Sequence, residues 1–437
     1  MTLFPEVESR PSPWVPEPPP AAPRVLEANR TQVLLRPTDL ESLLPADHPA
    51  RSLWACAERL DLTAFYAAIA AVDGSAGRPA IDPKILLTLW LYATSEGVGS
   101  ARELARLCEA HDAYRWICGG VHVNHHTLSD FRVAHQAALD TLLTETLAVL
   151  LQAGLVTLTT VAHDGTRVRA SAGAASFRRA KSLRRCLAAA QAQVQRCAGA
   201  VDAPASARQA AAQGRAARER QARVEAALAQ LPAVRAAKKT AQARRAARVS
   251  TTDPEARVMK MADGGFRPAY NVQVATDTAA QVIVGVGVTN RGNDEGQTTP
   301  MLDAVATRCG TVPPVWLTDG GFATSAAIAD AAERGVTVYA PVLTRADIPA
   351  PHAPRPRDHP AVAAWRIRMG TAAGKERYRA RAPAECVNAL WKDHRGLHRV
   401  RVRGLAKVLC LALWMAVTHN LLRWVALTQA AGAAARR

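Results

Sequence analysis

No two of the eight cysteines form a C-x-x-C pair; Cys56, Cys108, Cys118, Cys186, Cys197, Cys309, Cys386 and Cys410 stand singly. That spacing excludes a zinc ribbon or a disulfide scaffold and fits reduced thiols in a cytoplasm. Long hydrophobic runs are missing too. The longest late one, Val408 to Val417, is about half of the ~20 residues that span a bilayer. It then meets Thr418, His419, Asn420 and Arg423, so a buried helix is expected and no membrane partner. The opening MTLFPEVESRPSPWVPEPPP lacks a basic start followed by an apolar stretch, so no secretory signal is visible. Acids are scarce: 37 Asp and Glu face 55 Lys and Arg, a net charge of +18. Such an excess favours a polyanionic partner, and with the membrane set aside that partner is nucleic acid. The competing explanation is a coding bias that fills solvated faces with Arg and Ala.

What is present is a chain of 437 residues, nearly half of them hydrophobic, with room for two or three domains. Residues 1–34 are proline-rich and expected to be disordered. Residues 35–154 read as helical. DPKILLTLWLYATSEG has an Asp-Pro start and a Gly stop. After GVGS, Ser100 and Glu103 in SARELARLCEAH have the spacing of a capping box. The pair reads as a helix-turn-helix or as an ordinary helical hairpin. A third long helix is expected from about Thr127 through Leu151.

From Leu155 the pattern is that of a strand, LVTLTTVAHDG, ending at His163-Asp164-Gly165. Residues 177–249 then form an Ala/Arg/Gln-rich insertion whose acids are Asp202, Glu219 and Glu225. It reads as a basic helical hairpin broken near Asp202–Pro204, serving as a DNA-contacting arm or as a solvated spacer. Strands return at Phe266–Thr289 as a hairpin. A helix, the strand Val315–Thr318 ending at Asp319-Gly320-Gly321, another helix, another strand, a basic proline-rich loop and further helices follow. The fold class is therefore α/β with a mixed sheet, over residues 155–427, with a disordered tail at 428–437.

Two strand ends carry Asp followed by Gly. Functional groups of open α/β sheets gather at the carboxyl ends of strands, and close carboxylates repel unless a cation such as Mg²⁺ sits among them. A third acid, Glu385, lies in the basic stretch YRARAPAECVNALWK. At ~100° per residue, Tyr378, Arg381, Glu385 and Lys392 fall within about 60° of one another. Pro383 interrupts a continuous helix, so a helix starting there leaves Tyr378 and Arg381 in the preceding turn. A metal-holding acid beside cationic phosphate ligands suits a phosphodiester substrate. The plain alternative is an exposed Glu385 paired with Lys392. Trp391 reads as a core residue or as a platform for an unpaired base.

On these residues the sequence resembles the DDE transposases of bacterial insertion sequences. Tyr378-x₂-Arg381-x₃-Glu385-x₆-Lys392 matches the tyrosine–arginine–glutamate–lysine signature of one branch, and Asp164 and Asp319 match its other two acids. HDGTRVRASA, AYNVQVATD, LTDGGF, HRGLHRVRVRGLAKV, THNLLR and HHTLSDFR extend the resemblance over about Leu35 to Leu427. It implies an RNase H-like catalytic domain behind an N-terminal all-α DNA-binding domain. It also implies two Mg²⁺ ions, with Mn²⁺ as a substitute, held by Asp164, Asp319 and Glu385. Asp164 would bridge both ions. Arg381 and Lys392 would contact phosphate, and Tyr378 would pack or contact phosphate. The implied reaction is hydrolytic cutting at the element's ends, then attack of the freed 3′-hydroxyl on target DNA, by a homo-oligomer (a dimer) assembled on DNA. Sequence recognition of those ends would fall to the N-terminal helices, with SARELARLCEAH entering the groove. The alternatives are a metal-dependent nuclease without strand transfer and an inert DNA-binding descendant.

Overall fold

The computed structural model describes residues 39–434 except 73, 75–78, 200–206 and 345–349. The proline-rich start and the expected break near Asp202–Pro204 lie outside the described residues. The first α-helices of the described residues are α1 (Pro49–Ala57), α2 (Thr63–Tyr66), α3 (Pro83–Ser95), α4 (Ala101–Ala110), α5 (Asp112–Cys118), α6 (His125–Ala134) and α7 (Gln136–Gln152). Asp82 caps α3 by accepting from the Lys84 N–H at 2.8 Å, and Pro83 takes the first helical position. At α4 the serine half of the capping box forms, Ser100 Oγ accepting from Glu103 N at 3.4 Å, while Glu103 is engaged by Arg106. The single long helix expected from Thr127 is instead two, α6 and α7. They break at His135, whose ring is drawn against Phe65 and Phe131 with centroids 5.0 and 4.7 Å away.

The central sheet contains β1 (Thr160–Arg169), then, after the insertion, β4 (Arg257–Lys260), β5 (Phe266–Asp277), β6 (Ile283–Thr289), β7 (Val315–Thr318) and β8 (Thr337–Tyr339). Its order is β4-β5-β1-β7-β8, and β6 also pairs with β5. β5 is antiparallel to β1, β4 and β6, whereas β1, β7 and β8 run parallel. Helices α11 (Thr298–Cys309) and α12 (Ser325–Glu333) alternate with these strands; α13 (Pro360–Gly370), α14 (Ala372–Arg379), α15 (Ala382–Asp393) and α16 (Leu405–Ala434) follow. Two expectations for β1 are corrected. It starts at Thr160 rather than Leu155, because Leu158 takes a left-handed φ of 52° that no regular strand allows. It also runs through Asp164-Gly165 to Arg169, held by continuous pairing with β5 down to Ala269.

The insertion closes on itself. β2 (Phe177–Arg178) pairs with β3 (Val249–Ser250), and between them stand α8 (Ala180–Gly199), α9 (Ala207–Ala236) and α10 (Ala241–Arg245). Leu183, Ala227, Leu231, Val234, Ala247 and Val249 give it a small core of its own. By contrast, the N-terminal helices and the sheet share one core from Leu44 to Leu421. α16 joins them, packing against α3, α7 and β6. By length and composition this helix could cross a membrane, but 72 % of its apolar window is buried inside the protein. Its THNLLR stretch locks the β5–β6 hairpin. Asn420 exchanges two 2.8 Å bonds with the Ile283 backbone, His419 bonds Gln281 O at 2.8 Å, and Arg423 donates to Ala280 O. The tail expected to be disordered from 428 continues as helix through Ala434.

Candidate active site

Parallel register brings the two aspartates together. β1 and β7 pair His163 with Thr318, so the next residues are neighbours, Asp164 within β1 and Asp319 just past the end of β7. Asp164 shares the sheet face of Ala162, which packs with Leu317 against Ala384 of α15. α15 begins at Ala382 with Pro383 in its first turn, and Glu385 follows in that turn. Arg381 lies in the preceding turn as expected. Tyr378 does not; it belongs to the last turn of α14, which ends at Arg379.

All three acids converge on one guanidinium. Arg381 Nη2 lies 3.0 Å from Asp164 Oδ1, and Nη1 lies 3.1 Å from Asp319 Oδ1 and 2.6 Å from Glu385 Oε1. Two oxygens on one nitrogen are no further apart than those two distances combined. Arg381's side chain is 8 % exposed and that of Asp164 15 %, whereas Asp319 and Glu385 are 52 % and 62 % exposed, so the cluster has a buried end and an open end. Burial raises the Asp164 carboxyl; Arg381 and the Asn388 hydrogen bond pull it back. Burial pushes the Tyr378 phenol up to about 12, and Tyr378 donates to Asp319 Oδ1 at 3.2 Å. Lys392 is half-buried on α15; burial lowers its pKa, and Asp164 opposes that shift. Glu385 pairs with Arg381 rather than with Lys392.

Residues that the sequence reading missed complete the setting. Asn388, one turn beyond Glu385, donates to Asp164 Oδ2 at 2.8 Å, and its own Oδ1 is buried without a partner. On the opposite face, His163 Nε2 bonds Gln273 Oε1 at 2.9 Å, and Asp294 accepts from Asn271 and Gln273. A Cβ at Gly165 would collide with Asp294 and Gln273, which explains the glycine after the aspartate. Trp391 is fully buried, so it is a core residue and no base platform.

Three carboxylates and an amide oxygen make a donor set of hard oxygens, which suits a divalent cation such as Mg²⁺. Among the described residues no three of His, Cys, Asp or Glu stand close enough to hold one ion as they are placed. The Arg381 guanidinium takes the central position among the three acids.

Comparison with known families gives two matches: a transposase domain (DUF772) over residues 38–134 and a transposase DDE domain over residues 234–421. The chain belongs to the DDE transposases. Their RNase H-like core accounts for the mixed sheet, with β6, β5, β1, β7 and β8 lying in the order third, second, first, fourth, fifth. The transposase DDE match contains Asp319, Tyr378, Arg381, Glu385 and Lys392 but begins within the insertion, after β1 and Asp164. No curated protein and no solved structure matches the chain.

Proposed function

We propose that this transposase cuts DNA strands at the ends of an insertion sequence and joins the freed 3′-hydroxyl to target DNA, using Asp164, Asp319 and Glu385 as a shared site for two divalent ions. One observation carries the proposal: acids 155 and 66 positions apart in the chain meet on the single side chain of Arg381. Bound Mg²⁺ or Mn²⁺ would supply Lewis-acid stabilisation of the charge that develops at phosphorus. The protein's own residues do the rest. Asn388 fixes the Asp164 carboxylate, and Tyr378 orients Asp319. Arg381 and Lys392 hold the phosphate, and by leaving the acids for an arriving phosphate Arg381 exposes their oxygens only when substrate is present. The basic insertion and the α3–α4 region contact DNA backbone, with α4 offering Arg102 and Arg106 on its exposed face.

Incubation of the protein with element-end DNA, target DNA and Mg²⁺ tests this directly. Joined products are expected, and Asp164→Asn or Glu385→Gln should abolish both cutting and joining while leaving DNA affinity within a few-fold. Products that are cut but never joined would reduce the protein to a nuclease on the same fold. Unchanged cutting by the Glu385→Gln variant would remove that acid from the site.

A further inference from the structure

At the end of α15 remote from Glu385, a cavity of about 450 Å³ opens between the α3–α4 turn and the segment following α15. Arg132, Arg395, Arg399, Arg401, His398 and Ser171 line it, over a floor that includes Leu411 and Met415; no carboxylate lines it. None of the four arginines forms an ion pair among the described residues. Arg395 is 7 % exposed, and its Nη1 is buried with no hydrogen-bond partner. Arg132 lies over the Trp90 ring at 4.5 Å and donates to Gly99 O at 2.6 Å. Burial pushes both Arg132 and Arg395 down to about 10, which still leaves them charged at neutral pH. Arg399, Arg401 and His398 are exposed at the mouth.

The cavity is held firmly. A Cβ on Gly97 would come within 2.5 Å of His394 O, so the turn of the helical region and the end of α15 approach as closely as backbones can. The segment also extends the sheet, with Arg169 N donating to His398 O at 3.1 Å and Val400 N to Arg169 O at 2.8 Å. A buried guanidinium without a partner is costly to a fold, and an anion that both pairs with it and accepts its hydrogen bonds relieves that cost most fully. Arginine forks match phosphate oxygens better than any other side chain.

We propose that this cavity is a phosphate-binding site that grips the DNA backbone a few base pairs from the acids. Eight residues of helix separate Glu385 from Asp393, ~12 Å at 1.5 Å per residue, close to four base-pair rises of ~3.4 Å. DNA as the source of the phosphate rests on the transposase function proposed above; the anion site itself does not.

The test has two arms on the full chain. In the first, inorganic phosphate is compared with chloride at equal ionic strength in thermal unfolding. Phosphate should raise the Tm of the wild type. Arg395→Met should melt higher than the wild type without anion and lose the phosphate response. A lower Tm for Arg395→Met, or no phosphate response in the wild type, would overturn the site. In the second arm, anisotropy of a labelled duplex of arbitrary sequence is followed against salt. Arg399→Ala/Arg401→Ala should flatten the log K against log salt slope by about two, roughly one per lost phosphate contact. An unchanged slope alongside a phosphate response would make the pocket a free-anion site and refute its role on DNA. Cutting and joining by the wild type are read separately, so their failure would sink transposition without touching either arm.

Discussion

At the scale of single residues the site is governed by Arg381, the one cation shared by three acids. Its loss would leave Asp164 buried without its ion-pair partner beside two further carboxylates, with Lys392 the remaining nearby cation. Arg381→Ala should therefore destabilise the metal-free protein by about 3 kcal/mol, at the low end because Asp319 and Glu385 are largely solvated. Added Mg²⁺ should restore much of that loss, and calorimetry with and without the ion reads both effects. An Arg381→Ala protein as stable as the wild type without metal would deny the guanidinium this part. Two buried histidines set the acid limit. Burial lowers His163 to about 3 and His419 to about 4, both below the 6.5 of an unfolded chain. Their contribution is whole above pH 6.5 and is lost as pH falls towards 4 and 3, by at most about 1.4 kcal/mol per pH unit each. The raised carboxyls Asp164, Asp253 and Asp277 act in the opposite direction lower in that window. The Tm should fall between pH 7 and pH 5, and less so in His163→Asn. The acids and their basic escort were legible in the sequence because charge in a sparse background stands out. Asn388 was not, since a neutral amide signals nothing until its carboxylate partner is known.

At the scale of elements, β1 is the decisive piece. It holds Asp164 at the sheet centre between an antiparallel and a parallel neighbour, and Gly165 makes room for the Asp294–Gln273 network behind it. Gly165→Ala should cost about 1–3 kcal/mol through overpacking and slow DNA cutting by shifting Asp164. Wild-type Tm and activity in that variant would show that the network yields freely. The hairpin β5–β6, the strand before Asp319 and the start of α3 could be read from alternation and capping. The start of β1 could not, because Leu158 belongs to the same apolar alternation and only its backbone angle ends the strand. β4 escaped notice since Arg257–Lys260 is short and half charged, and its pairing partner fixes it rather than its own pattern. The break at His135 was hidden in the same way, by apolar spacing that both α6 and α7 continue.

At the scale of the whole molecule two kinds of attachment coexist. The insertion carries seventeen Lys and Arg against three acids and is joined at its base by a ribbon of two residue pairs. It has a small core of its own, and Gln230 of α9 accepts from Arg257 of β4 at 2.6 Å. Replacing residues 180–247 with a short glycine linker should leave a cooperatively melting protein whose DNA affinity is weaker and less steeply salt-dependent. A variant that fails to fold would show that the arm supports the sheet. The helical region, by contrast, shares its core with the sheet through α16. Sequence periodicity separates such regions by their patterns and is blind to a core they share.

That shared helix also sets a schedule. A ribosome delivers α3, α7 and β6 long before α16, the element that packs against all three. Until translation has passed Leu421, the faces that α16 covers lack that partner, and such transiently exposed apolar surface favours aggregation. A chain cut short before that point should expose those faces and aggregate or be degraded more readily than the full one.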